Sequence, residues 1–427
     1  MRHPTRHGPI RAMAILVALA TLTFSFAQDA TEVVLSIGSR GFGEAAPVLI
    51  EKCEQQIGGI DVEWNRISDV PNESRSVYVT NFTARNDDPD VVAVDVIWPG
   101  DFAGRGWIAP LDEYFTDEEL SEYLPGFLEA AQIDDSTYAI PLYIDGIHLF
   151  YRSDLLDKYG FDPPTTWAEL IDQANTIVAG EGDPDLNGFV SMWAKIEGLF
   201  MNWLSFFQGA GGSFFDANGN VNVDTEAGRQ SLETMLDILY EHELAPESIL
   251  TYRPDDARIL FQQGRSVFLK VQDFVLEPLT SEDSPVRDDV GFTRVPYFEG
   301  HEDANTTVIG GFLLAVNAYS DAKEASAELI RCMTSQESQV QATLLQGKVP
   351  TRPAVYDDPQ VQEERPNVAA LGDNFLHAFA RPSAGAGTAY PQISEIMQTE
   401  ISAVLLRQKT PEQALQDAER QIEPLLQ

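Results

Sequence analysis

Short apolar runs alternate with longer amphipathic segments along this chain. The runs at 32–37 and 90–97 are rich in Val, Ile and Leu, which is typical of strands buried on both faces, and a further strand is predicted at 60–64. Helical periodicity predicts helices beginning near Ala45 and spanning 117–122, 154–159, 166–178, 225–242, 253–263, 321–335 and 411–424. Strands that alternate with helices predict an α/β fold with a parallel sheet covered on both faces.

One helix start is marked by its own residues. Thr166 precedes Glu169 by three positions, the spacing of a capping box, in which the two side chains satisfy backbone N–H groups at the helix end. The helix is therefore predicted to begin immediately after Thr166.

The first 27 residues have the pattern of an export signal. Three arginines precede an apolar, uncharged core at 12–26, and the small-x-small sequence at 25–27 predicts cleavage before Gln28. A retained membrane anchor is the alternative, and it is disfavoured because no stop-transfer pattern follows. Since no cysteine ends the apolar core, a lipoprotein anchor is not predicted. We expect an exported protein, periplasmic or at the cell surface.

Charge and length narrow the classes of function. The chain has 427 residues, so about two domains are expected. Its 67 acidic and 28 basic residues give a net charge of −39, which argues against a nucleic-acid partner because polyphosphates require a basic surface. The sequence has no G-x-S-x-G elbow, and its adjacent acids are typical of solvated surfaces, so no enzyme activity is predicted.

Two further motifs leave alternatives open. Cys53 and Cys332 are the two cysteines, and export permits either a disulfide or two buried thiols. The segment 183–188 resembles the start of a calcium loop, but Ala194 occupies the position of its bidentate acid, so a polar turn is favoured over calcium. No metal and no cofactor is predicted.

The segment 41–46 matches G-x-G-x-x-A after a strand, and Asp61 lies about twenty residues on, as in a dinucleotide site. Export argues against a nicotinamide cofactor. We therefore favour a turn that presents Arg40 and Glu44 to another ligand.

Acidic and aromatic residues are concentrated in turns after predicted strands. They comprise Asp95 and Trp98, Tyr143 and Asp145, and Trp193 with Glu197 and Asn202. Carboxylates accept hydrogen bonds from hydroxyl groups, and aromatic faces stack on the apolar side of a sugar ring. This combination predicts a site for a neutral saccharide, the alternative being that each aromatic residue belongs to the core.

Several segments carry a family resemblance. The strongest are PDVVAVDVIWPGDFAGRGWIAPLDEYF at 89–115 and YAIPLYIDGIHLFYRSDLLDKYGFDPPTTWAEL at 138–170, and weaker ones lie at 196–216, 261–270, 309–320, 347–352 and 380–390. In this order they resemble the family 1 extracellular solute-binding proteins of ABC sugar importers, most closely the trehalose/maltose type.

The resemblance implies two Rossmann-like lobes joined by three hinge crossings, near 139–145, 292–297 and 346–350. The first lobe would comprise 28–140 and 297–346, and the second 141–296 and 347–427. A saccharide would bind between them, and the closed protein, expected to be a monomer, would dock on membrane permease subunits.

The resemblance also implies ligand contacts. In the first lobe they are Glu44, Asp95 and Gly310-Gly311-Phe312; at the hinge, Tyr143 and Asp145; in the second lobe, Arg381. Gln272 and Asp273 lie where members of the family usually have a tryptophan, and Phe312 occupies a position that is often tryptophan in the family. These differences favour a more polar or differently shaped saccharide. A binding protein for a polyamine or peptide, or a secreted carbohydrate-active enzyme, is the alternative function.

Overall fold

The computed structural model describes Met1 and residues 30–38, 42–43, 45–68 and 71–426. The predicted export signal, apart from Met1, lies outside these residues. Within them, no helix has both the length and the apolar character needed to cross a membrane.

Among the described residues, nine strands form one large sheet and two form a small hairpin. The strands are β1 Thr31–Gly38, β2 Ile60–Ile67, β3 Val91–Asp95, β4 Gln132–Ile133, β5 Ser136–Thr137, β6 Ile140–Arg152, β7 Asn187–Ser191, β8 Ser266–Gln272, β9 Val290–Thr293, β10 Thr307–Val316 and β11 Ala378–Phe379. The sheet order is β2-β1-β3-β10-β6-β8-β7, with β11 beside β10 and β9 beside β6.

Helices flank this sheet. They are α1 Ala45–Ile57, α2 Pro71–Thr83, α3 Pro99–Gly104, α4 Asp117–Leu120, α5 Pro125–Leu128, α6 Ser153–Tyr159, α7 Trp167–Glu181, α8 Glu197–Gly209, α9 Glu226–Leu236, α10 Pro254–Gln262, α11 Leu276–Thr280, α12 Lys323–Met333, α13 Gln336–Gln346, α14 Pro353–Tyr356, α15 Pro359–Glu364, α16 Pro366–Ala370, α17 Gly372–Phe375, α18 Ser383–Ala386, α19 Tyr390–Leu405 and α20 Pro411–Ile422. The capping box predicted at Thr166 and Glu169 is present at the start of α7.

The expectation of a parallel sheet is correct at its two edges and wrong at its centre. Strands β2, β1 and β3 are parallel, and so are β7 and β8. In the middle, β10 runs antiparallel to both β3 and β6, and β6 antiparallel to β8. We call the β1-β2-β3 half the first lobe and the β7-β8-β9 half the second lobe.

The long central strands carry the chain between the lobes. Phe312–Val316 of β10 pair with β3, whereas Thr307 and Val308 pair with β11. Likewise β6 pairs with β10 near its start and with β8 from Ile147 onward. The crossing expected at 292–297 therefore lies within β10, because Tyr297 exchanges backbone hydrogen bonds with Thr165 and Trp167 of the second lobe. The lobe boundaries themselves remain a prediction.

The first lobe has a covalent cross-link. Cys53 of α1 and Cys332 of α12 form a disulfide, which decides between the two alternatives left open by the sequence. Both helices pack against β1 in a core containing Leu35, Leu49 and Ile330.

Helix α8 was not predicted. Eleven of its thirteen residues are buried, so its sequence lacks the polar face that marks an amphipathic helix. This helix matters for the site because its first residue, Glu197, lies at the cleft.

Candidate functional site

A cleft of about 1210 Å³ lies where β3, β6, β8 and β10 meet. Nine of the residues expected to bind a ligand line it: Asp95, Tyr143, Asp145, Gln272, Asp273, Gly310, Gly311, Phe312 and Arg381. These residues are far apart in the sequence, and strand pairing across the centre of the sheet brings them together.

The register of β6 against β10 sets the middle of the cleft. Asp145 is paired with Gly310, and Tyr143 with Phe312, which in turn faces Asp95 on β3. A Cβ atom at Gly310 would lie 2.2 Å from Oδ1 of Asp145, so the missing side chain makes room for the carboxyl group.

Gly311 allows a backbone conformation and a close backbone contact that a side chain would prevent. Its φ of +115° is one that residues with a side chain rarely adopt, and a Cβ there would lie 2.4 Å from the carbonyl oxygen of Tyr143. The glycine pair thus shapes the cleft through its lack of side chains.

Two aromatic rings form one wall. Tyr143 stacks on Phe312 with ring centroids 5.6 Å apart, and the ring of Phe42 lies 6.0 Å from that of Tyr143. The Lys348 ammonium lies 4.6 Å from the centroid of Tyr143. This wall offers apolar area beside the carboxylates, as a sugar ring requires.

Arg381 lies between carboxylates of the two lobes. Its Nη1 donates to Oε1 of Glu197 over 3.0 Å, and its Nη2 lies 3.5 Å from Oδ1 of Asp95. Tyr390 also donates to Oε1 of Glu197, and Ser394 donates to Oε2. The side chain of Arg381 is only 5% exposed, and within the described chain its Nε has no hydrogen-bond partner.

Two carboxyl groups of the cleft, those of Asp95 and Asp145, have raised pKa values. Burial raises the pKa of Asp95, and Arg381 partly offsets this effect. Burial, reinforced by the neighbouring charge of Asp273, raises the pKa of Asp145 to about 7. Near neutrality Asp145 can therefore both accept hydrogen bonds and donate one, which suits hydroxyl groups that do both.

The expectation that Trp98 and Trp193 contact the ligand is wrong, because neither residue lines the cleft. Trp98 packs among Tyr78 and Phe102 and meets Phe312 edge-on at 6.3 Å. Trp193 is 1% exposed and packs against Phe189. Both are core residues because apolar strands and helices enclose them on every side. Arg40 and Glu44 lie outside the described residues.

Sequence reasoning missed several residues of the cleft. Glu197, which the sequence places among the acidic and aromatic residues of the predicted saccharide site, does line the cleft, whereas Lys348 also lines it and is marked in the sequence only by its family segment. A more distant wall is formed by residues of α10, α15 and α16 and their flanks: Arg253, Asp255, Asp256, Glu364, Arg365 and Asn367. No local motif marks them.

The segment resembling a calcium loop forms a polar turn. Asp183 accepts the N–H of Asp185, whose carboxylate lies 3.2 Å from the Arg265 guanidinium, and Asn187 starts β7. Within the described ranges, no group of three or more His, Cys, Asp or Glu side chains is arranged to hold a metal.

Comparison with known proteins identifies the family. A family model described as bacterial extracellular solute-binding protein matches residues 39–340. The chain belongs to this family. It is 30% identical over 418 residues to a probable ABC transporter-binding protein of Deinococcus radiodurans, covering 94% of this chain and 96% of the relative. The protein is therefore a solute-binding protein and not an enzyme, as expected from the sequence.

Solved structures confirm the α/β periplasmic-binding-protein fold. The maltose-bound MalE3 of T. maritima is 34% identical, with a TM-score of 0.78 over 93% of this chain and 100% of that one. The sugar-binding protein MalE of Xanthomonas citri has a TM-score of 0.80 at 22% identity, covering 93% and 97% of the two chains, which is evidence for the fold alone.

Proposed function

We propose that this solute-binding protein captures a neutral saccharide, a disaccharide or a small oligosaccharide, in the cleft between its lobes. The observation that carries this proposal is the stacked wall of Tyr143 and Phe312 beside Asp95, Asp145 and Arg381. The maltose-bound relative, at 34% identity over the whole of its chain, supports the same class of ligand.

The cleft residues come from both lobes, so a bound ligand can favour closure of the lobes. A ligand shifts the balance between open and closed forms only if it binds the closed form better. A saccharide that contacts Asp95 on β3 and Gln272 on β8 at once meets this condition. The closed protein then docks on the permease in the membrane and delivers the saccharide, and we propose that this occurs outside the cytoplasm.

A thermal-shift screen of residues 28–427 tests the ligand class. The panel contains mono-, di- and oligosaccharides, with polyamines, amino acids and short peptides as the other classes. Any compound that binds only the folded protein raises its melting temperature. A shift with a saccharide that is recovered unchanged supports the proposal. A shift with a polyamine or peptide alone contradicts the saccharide assignment and leaves the family intact.

A further inference from the structure

Arg381 has its closest acceptor, within the described chain, on a glutamate of the second lobe. Its Nη1 donates to Oε1 of Glu197 over 3.0 Å, whereas its Nη2 lies 3.5 Å from Oδ1 of Asp95. A guanidinium group that is only 5% exposed is stable only beside groups that accept its hydrogen bonds. Because its donors lie in one rigid plane, the direction of the Arg381 side chain depends on where the Glu197 carboxylate lies.

The Glu197 side chain does not have a fixed position of its own. Glu197 is the first residue of α8, and 30% of its side chain is exposed at the cleft. A glutamate at such a place can adopt several rotamers. The contacts behind the carboxylate therefore decide which rotamer Glu197 presents to Arg381.

Two hydroxyl groups of α19 hold the Glu197 carboxylate. Tyr390, the first residue of this helix, donates to Oε1 over 2.5 Å, and Ser394, four residues later, donates to Oε2. A carboxylate only accepts hydrogen bonds, so both hydroxyl groups are the donors. Residues four positions apart lie on the same face of a helix, which lets one turn of α19 supply a donor to each oxygen of Glu197.

These two hydroxyl groups are themselves placed by the core of the second lobe. Tyr390 is 1% exposed and Ser394 3%, and neither is among the described residues that line the cleft. The ring of Tyr390 lies 6.5 Å from that of Phe200 in α8, and Nε2 of Gln398 donates to Oγ of Ser394 over 2.8 Å. Tyr390 and Ser394 therefore reach the cleft only through Glu197.

We propose that Tyr390 and Ser394 are positioning residues, which hold the Glu197 carboxylate so that it directs the Arg381 guanidinium toward the bound saccharide. The saccharide part of this inference rests on the proposed function. Neither hydroxyl group touches the saccharide. The proposal extends the site to α19, a helix of whose described side chains none lines the cleft.

The test removes the hydroxyl groups one at a time and together. Tyr390→Phe and Ser394→Ala each delete one donor and little else, and Ser394→Thr keeps a hydroxyl group. Tyr240→Phe is the matched control, because the Tyr240 hydroxyl donates to the carbonyl oxygen of Leu405 at the other end of α19. Crystal structures show the orientation of the Arg381 guanidinium, and calorimetry with maltose gives the affinities.

We expect Tyr390→Phe and Ser394→Ala each to weaken maltose binding about three- to tenfold, the effect of one lost hydrogen bond, and the double variant to weaken it more than either. Ser394→Thr should bind more tightly than Ser394→Ala, and Tyr240→Phe should bind as the wild type does. In the Arg381→Ala background the double variant should change affinity less than about twofold, because its effect passes through Arg381. A merely structural role would lower affinity equally in both backgrounds.

Glu197 and Arg381 side chains that keep their wild-type positions in the crystal structure of the double variant overturn the inference, as do equal losses of affinity in the two backgrounds. If the double variant does not fold, the two single variants are compared in the same way. If the wild type binds neither maltose nor any other saccharide, the proposed function fails, and the crystal structures still decide the positioning role.

Discussion

The Asp145 carboxyl group titrates close to neutrality, which is unusual for an aspartate. Its pKa of about 7, against an ordinary 3.8, results from burial and from the charge of Asp273, with Arg381 and Lys348 acting in the opposite direction. An acid that binds its proton more tightly in the folded than in the unfolded state makes the folded protein less stable as pH rises between the two pKa values.

Asp145→Asn tests this residue directly. We expect the free energy of unfolding of the wild type to decrease as the pH rises from about 4 to about 7, and this decrease to be smaller in the variant. Relative to the wild type, the variant should gain about 4 kcal/mol across that range, because a pKa raised from 3.8 to about 7 corresponds to about 1.4 kcal/mol for each pH unit. Urea unfolding at several pH values gives the slopes.

Asp255→Asn is the control for this titration, because the Asp255 side chain lies at the same cleft but is 63% exposed. Parallel curves for the wild type and Asp145→Asn would show that Asp145 has an ordinary pKa.

Gly310 is a second residue whose role is testable. A Cβ added there would overlap Oδ1 of Asp145, so Gly310→Ala should displace the carboxyl group and weaken saccharide binding by roughly 1–3 kcal/mol, the effect of an unpaired buried polar group. Calorimetry with the saccharide found by thermal shift measures the change in affinity.

Gly104→Ala, whose Cβ would meet Thr388 Cγ2 at 3.3 Å, is the matched control. Equal affinities of both variants and the wild type would mean that Asp145 does not contact the saccharide.

At the scale of elements, two helices of the first lobe that are far apart in the sequence are linked covalently. The disulfide links α1 to α12 over a sequence separation of 279 residues. A cross-link that closes so long a loop restricts the unfolded chain strongly, in the chain-entropy account of disulfide stability.

Reduction or the double variant Cys53→Ala/Cys332→Ala should lower the free energy of unfolding by roughly 2–5 kcal/mol. Urea unfolding with and without a phosphine reductant measures the loss. The double variant is its own control, since reductant should not affect it. Unchanged stability after complete reduction would show that the bridge contributes nothing to the folded state.

At the scale of the whole molecule, Arg381 connects the lobes. It lies between Asp95 at the end of β3 and Glu197 at the start of α8, and it is nearly fully buried. Removing a cation from between two carboxylates leaves them to repel each other across the cleft.

Arg381→Ala should therefore weaken saccharide binding by roughly 1–3 kcal/mol and favour the open form without ligand. Calorimetry measures the first effect, and small-angle X-ray scattering the second, as a larger radius of gyration. Arg420→Ala is the control, because Arg420 is 72% exposed and, among the residues that the structure describes, pairs only with neighbouring Asp417. Scattering curves and affinities identical to those of the wild type would contradict the bridging role.

Periodicity and local spacing, which are set by neighbours along the chain, determined the α/β class, eight of the helices and the capping box of α7, and the family resemblance added residues that line the cleft. The tertiary structure decided the rest. Whether Trp98 stacks on a ligand or on Phe102, and whether Cys53 meets Cys332, depends on contacts between distant segments. The antiparallel course of β10 and the pairing of Asp145 with Gly310 likewise exist only once the sheet is assembled, because long-range pairing leaves no local pattern.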